Sequence, residues 1–126
     1  MEKMKNKIII IIVVILIIGF LTLLINWQRQ PGKLDTFAKC LKENGAVFYG
    51  AFWCPHCQSQ KKMFGKSAKF LPYVECSTPN GQSQLPVCKD KDIKSYPTWE
   101  FGDGSREQGE ISLDKLSQVT GCILPK

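Results

Sequence analysis

Residues 53–57 read Trp-Cys-Pro-His-Cys. Two thiols separated by two residues can close on each other as a reversible disulfide, supply half of a tetrahedral metal site, or staple a short loop. The staple is the weakest of these, because closing so short a loop constrains little. A structural zinc site needs a second ligand pair. Cys76 and Cys88 are isolated singles and the one histidine, His56, sits inside the motif, so no metal is expected. A redox couple is left. The run before it, Ala46 to Trp53 (AVFYGAFW), is apolar and aromatic and reads as a buried strand. Helical material follows, from Cys54 to about Phe70. A cysteine placed where a strand turns into a helix faces unsatisfied backbone N–H groups and the positive end of the helix dipole, which both favour thiolate. Pro55, at the first helical position, removes an N–H that would lack a partner anyway. The expected division of labour makes Cys54 the exposed nucleophile and Cys57 the shielded resolving thiol. His56 stabilises a nearby thiolate when protonated, or is simply an exposed side chain.

The elements that must hold this motif follow from the pattern on either side. Leu34, Phe37, Ala38 and Leu41 repeat at helical spacing, and Asn44-Gly45 supplies the stop. Beyond the motif helix, whose apolar stripe runs through Cys57, Phe64, Ala68 and Leu71, the segment Leu71–Cys76 reads as a second strand. Ser77 to Pro86 is a turn-rich loop. One or two helical turns are expected within Cys88–Lys94. Pro97–Phe101 is a third strand, and Gly102-Asp103-Gly104 turns it into a short fourth. Ser112 caps a last helix built on Leu113, Leu116 and Val119, with Gly121 just past its end. A strand–helix–strand unit pairs in parallel through a right-handed crossover, and the hairpin adds antiparallel strands. The expected fold is α/β: one small mixed sheet with helices on both faces.

The first quarter of the 126-residue chain is of another kind. Residues 1–7 carry three lysines and one glutamate, and Ile8 to Ile25 has no charge. At about 1.5 Å per residue that apolar run spans roughly 27 Å, near the ~30 Å hydrocarbon core of a bilayer. Trp27 suits the headgroup level. A cleaved signal would be shorter and followed by a small-residue site, whereas the flank here is NWQRQPG. A core helix would not be apolar all round. The expected organisation is a basic cytoplasmic flank (1–7), a single transmembrane anchor (8–27), a linker (28–33), a folded domain (34–122) and a tail (123–126). The lysines against Arg29 favour the N-terminus inside and the domain outside the cytoplasm.

The net charge of +6 includes three lysines of that flank, and the others read as a solvated face or as attraction to anionic lipid. No basic block with interleaved aromatics points to nucleic acid. All six cysteines, an even number, lie beyond the anchor, which suits disulfides in an oxidising compartment. Cys76 and Cys88 read either as a structural bridge closing the intervening loop or as a relay pair that passes disulfides onward. Cys40 and Cys122 read as a bridge between the ends of the domain or as free buried thiols.

FWCPHC after a buried strand, followed later by Tyr96-Pro97-Thr98 at a strand start, resembles the thioredoxin fold. The resemblance implies that Pro97 is cis and shapes, with Trp53 and Tyr96, a groove for the backbone of a partner. Trp99, nearby, reads equally as groove or core. FYGAFWCPHCQ, YVEC, the lone Cys88, YPTW, the Gly-turned hairpin and SLDKL together resemble the thioredoxin-like partner domain of bacterial vitamin K epoxide reductase homologues, over about residues 34–122. That resemblance implies cysteine-containing substrate proteins and a separate, quinone-linked membrane oxidase as partners, with no cofactor in this chain. One departure stands out. Thioredoxin carries a buried aspartate six residues before its first motif cysteine; here that position is Phe48.

Pro-His between the cysteines is the pair of strongly oxidising periplasmic thiol oxidases, whereas thioredoxin carries Gly-Pro. Stabilising the reduced form makes a disulfide a better oxidant. The range from about −270 mV to about −120 mV is worth roughly 7 kcal/mol. The sequence therefore predicts a membrane-anchored, extracytoplasmic thiol-disulfide oxidoreductase acting as a dithiol oxidase. The alternatives are a surface reductase or isomerase and a non-catalytic thioredoxin-like adaptor.

Overall fold

The computed structural model describes all 126 residues, in two compact units, Met1–Pro31 and Gly32–Lys126. The first unit is one helix, α1 (Glu2–Arg29), with no buried side chain, long and apolar enough by length and composition to cross a membrane. At about 1.5 Å per residue its 28 residues cover roughly 42 Å, so helical structure runs beyond the apolar stretch at both ends.

The second unit holds α2 (Asp35–Glu43), β1 (Val47–Gly50), α3 (Pro55–Phe64), β2 (Tyr73–Glu75), α4 (Pro86–Lys89), β3 (Thr98–Glu100), β4 (Arg106–Gln108) and α5 (Leu113–Thr120). The sheet order is β2-β1-β3-β4, with β1 and β2 parallel and the other pairs antiparallel. This is the thioredoxin fold. The elements keep their expected order and differ in extent. The motif helix ends sooner than its apolar stripe suggests: Gly65 takes φ +53°, and Gly65–Phe70 continues as a 3-10 turn. The helical turn expected within Cys88–Lys94 lies earlier, because Pro86 occupies the first position of α4.

Alternation along the strands sorts the core. Phe48 and its cross-strand partner Trp99 point to one face, where they stack at 4.8 Å and pack with Phe37 and Leu41 of α2, Phe64 of α3 and Leu116 of α5. Tyr49 points to the other face, against Cys76, Cys88 and Ile93. Trp99 is wholly buried, so it belongs to the core and not to the groove.

Candidate active site

β1 delivers the chain through a short turn to Cys54, the N-cap of α3. The Cys54 Sγ accepts the backbone N–H of Cys57 at 3.2 Å, satisfying one of the donors that a helix start leaves open. Pro55 sits at the first helical position. Turned back over its own helix in this way, Cys54 is only 4% exposed, so the expected exposed nucleophile is a nearly covered one; Cys57 is fully buried. Burial above all, then the hydrogen bond with Cys54, pushes the Cys57 thiol up to about 12, while the backbone of Ala51 and then Lys61 pull the other way. Around the covered sulfurs, Phe52 and Trp53 present about half of their surface to solvent.

The Tyr96–Pro97 peptide bond is cis, and Pro97 is fully buried. The ring of Trp53, next to Cys54, meets the ring of Tyr96, next to Pro97, edge to face at 6.0 Å. Two loops far apart in sequence thereby converge on the motif. Trp53 Nε1 donates to Ser77 Oγ at 2.8 Å, and Gln84 Nε2 donates to Tyr96 Oη at 2.7 Å. Trp53, Tyr96, Ser77, Gln84, Ile93 and Lys94 are among the residues lining a groove of about 490 Å³.

His56 projects into solvent, and its Nδ1 contacts Glu110 Oε1 at 2.6 Å. One turn further along α3, the wholly buried Gln60 donates through Nε2 to the Ile111 carbonyl and accepts the Ile111 N–H through Oε1. Trp99 Nε1 also donates to Gln60 Oε1, at 3.4 Å. Positions i and i+4 of the motif helix therefore hold residues 110 and 111 together. Glu110 and Gln60 carried no motif signal; each is recognisable only through a partner more than fifty residues away.

The other four cysteines are bridged. Cys40 and Cys122 join α2 to the segment after α5, with a Cα separation of 5.9 Å, and Asn44 Nδ2 donates to the Thr120 carbonyl beside them. Cys76 and Cys88 join the end of β2 to α4, and both are fully buried. Cys54 and Cys57 are the cysteines outside these bridges. Phe48, where thioredoxin has its aspartate, is fully buried and stacked on Trp99, so the floor below the motif is apolar at that position.

No family model matches the chain. It is 47% identical over 92 residues to thiol-disulfide oxidoreductase LTO1 of Arabidopsis thaliana, a match covering 69% of this chain and 24% of that protein. It is 28% identical over 92 residues to protein disulfide isomerase-like 5-1 of Oryza sativa subsp. japonica, covering 65% of this chain and 63% of that protein. The chain thus spans about a quarter of the first relative and under two thirds of the second.

Proposed function

We propose that this chain is a thiol-disulfide oxidoreductase with Cys54–Cys57 as its redox couple, held at a membrane surface by α1 with the N-terminus cytoplasmic, and that it works as a dithiol oxidase. One observation carries the reading: with the other four cysteines bridged, the remaining pair stands at the N-terminus of α3, one sulfur already on a backbone N–H, beside the cis Tyr96–Pro97 segment. The names of both relatives support thiol-disulfide chemistry.

A substrate thiolate attacks Cys54 Sγ and breaks the Cys54–Cys57 bond. Cys57 leaves as thiolate and takes up a proton, as its raised pKa favours. A second substrate thiolate then attacks the substrate sulfur of the mixed disulfide and releases Cys54. Two electrons pass from the substrate, which becomes a disulfide, to the couple. Reoxidation returns those two electrons to an acceptor, for which a quinone-linked membrane partner of the vitamin K epoxide reductase type is the proposed source. The Pro-His pair supports the oxidising direction, because a protonated His56 beside the first turn favours the thiolate form. Trp53 and Tyr96 border the groove proposed for the substrate backbone, and the fully buried Pro97, in cis linkage to Tyr96, is proposed to shape it. Full burial of Cys76 and Cys88 supports a structural bridge over a relay, since exchange requires an attackable sulfur.

The test is the reduction potential of Cys54–Cys57, equilibrated against glutathione and read by alkylation. A value between about −120 and −180 mV is expected for an oxidase, and a value near about −270 mV would replace it with a surface reductase. Serine at Cys54 abolishes turnover if the chain is an enzyme; turnover that survives the substitution overturns the assignment of the nucleophile.

A further inference from the structure

Glu75 is the last residue of β2 and one residue from the buried Cys76. In the parallel register, Tyr73 pairs with Phe48 and Glu75 with Gly50, so both side chains belong to the same sheet face as Phe48 and the motif helix. On that face the Glu75 carboxylate gathers three donors. Its Oε1 accepts the backbone N–H of Phe52 at 3.2 Å and that of Ser77 at 2.9 Å, and its Oε2 accepts the Tyr73 hydroxyl at 2.7 Å.

Each donor leads to the redox couple. Phe52 lies in the turn that carries the chain from β1 to Cys54. Ser77 receives the indole N–H of Trp53, the residue before Cys54. Tyr73 and Cys57 border the same glycine: a Cβ placed on Gly50 would lie 2.8 Å from Tyr73 Cε2 and 3.0 Å from Cys57 Sγ, so the absence of a side chain there makes room for both ring and thiol. Lys61, one turn after Cys57 on α3, puts its Nζ 3.3 Å from the centre of the same ring. Burial, then Glu75, then Cys57 and Cys54 all raise the Tyr73 hydroxyl pKa.

We infer that Glu75 is a positioning residue of the Cys54–Cys57 couple: through Phe52, Ser77 and Tyr73 its carboxylate fixes the turn before Cys54 and sets the negative charge felt at the buried Cys57. The inference rests on the thiol-disulfide reading above. A negative charge on this face opposes thiolate formation, so it favours the disulfide over the dithiol. Neutralising it shifts the couple toward the reduced form, and exposing it shifts the couple the other way.

Glu75→Gln keeps an acceptor for the two N–H groups and removes the charge. Tyr73→Phe keeps the ring beside Cys57 and strips the carboxylate of its hydroxyl donor. The full-length chain in detergent micelles is equilibrated with glutathione buffers, trapped by alkylation, and the Cys54–Cys57 peptide is mapped by mass. Relative to wild type, Glu75→Gln is expected to favour the dithiol by at least about threefold, about 14 mV at about 29.6 mV per tenfold. Tyr73→Phe is expected to move the same equilibrium in the opposite direction. General loosening of the fold would move both variants the same way, so shifts of one sign overturn the inference, as do two shifts smaller than about twofold. A wild-type chain whose Cys54 and Cys57 never equilibrate with glutathione overturns the functional reading itself. Wild-type equilibration with unmoved variants overturns only the role of Glu75.

Discussion

Burial is the chief reason that Cys57 keeps its proton, and the consequence for stability has a definite sign. The pKa rises from an ordinary 9.0 to about 12 on folding of the dithiol form. A raised pKa means that the folded state binds the proton more tightly, so the stability due to Cys57 is fully present below about pH 9. It is lost as the pH climbs through about 12. The reduced protein should therefore melt at progressively lower temperature between about pH 9 and pH 11, whereas the oxidised protein, with no thiol at 57, should lack that slope. Parallel thermal melts of the two forms check this; equal slopes would refute it. A second expectation concerns His56. Replacing it with serine removes the imidazole that contacts Glu110 beside the first turn of α3 and should make the couple less oxidising, read against the same glutathione buffers. At this scale the sequence was most legible where chemistry resides in the residue type. Cys54, Cys57 and Pro55 announce themselves by spacing. Gln60 and Glu110 do not, because their partners lie 51 and 54 residues away, and Glu75 does not, because the partner that ties it to the motif turn, Phe52, lies 23 residues away. Trp99 was ambiguous for a similar reason: a residue in a three-residue strand faces groove or core according to register, and its pairing with Phe48 decides for the core.

α3 is fixed at its start by the motif and along its length by Gln60. That side chain is fully buried and joins the helix to Ile111 by two hydrogen bonds, with Trp99 as a third partner. Gln60→Ala strands buried donors and acceptors of both residues, each worth about 1–3 kcal/mol when left unpaired. A loss of roughly 2–4 kcal/mol is expected, measured by urea unfolding. A loss below about 0.5 kcal/mol, the level of an ordinary surface change, would show that the clamp is not holding the helix. The elements themselves were readable from apolar spacing and from caps: Ser112 Oγ accepts the Lys115 N–H, and Gly121 takes the left-handed conformation at the end of α5. Boundaries were less so. The helix break at Gly65 was hidden because Ala68 and Leu71 continue the apolar stripe, so periodicity alone does not register that the backbone has tightened.

For the folded unit as a whole, two covalent bridges act on loops of different length. Cys40–Cys122 encloses a separation of 82 residues and Cys76–Cys88 one of 12. The chain-entropy estimate gives about 4.5 kcal/mol for the long loop and about 2.8 kcal/mol for the short one, within a typical range of about 0–5. Paired serine substitutions at Cys40 and Cys122 should therefore lower Tm more than those at Cys76 and Cys88. The reverse order would mean that packing around the buried Cys76–Cys88 pair, against Tyr49 and Ile93, outweighs loop entropy. The longer bridge also changes what a protease can accomplish. A single cut anywhere between residues 40 and 122, the solvent-exposed turn at Asn80–Gln82 included, yields two polypeptides that remain one covalent molecule. One piece carries α1 and the other α5, and neither can diffuse away until a reductant opens Cys40–Cys122 and, for a cut between residues 76 and 88, Cys76–Cys88 as well. A nicked population would run intact on a non-reducing gel and as fragments on a reducing one. Cleavage of a loop and release of a fragment are thus separate events.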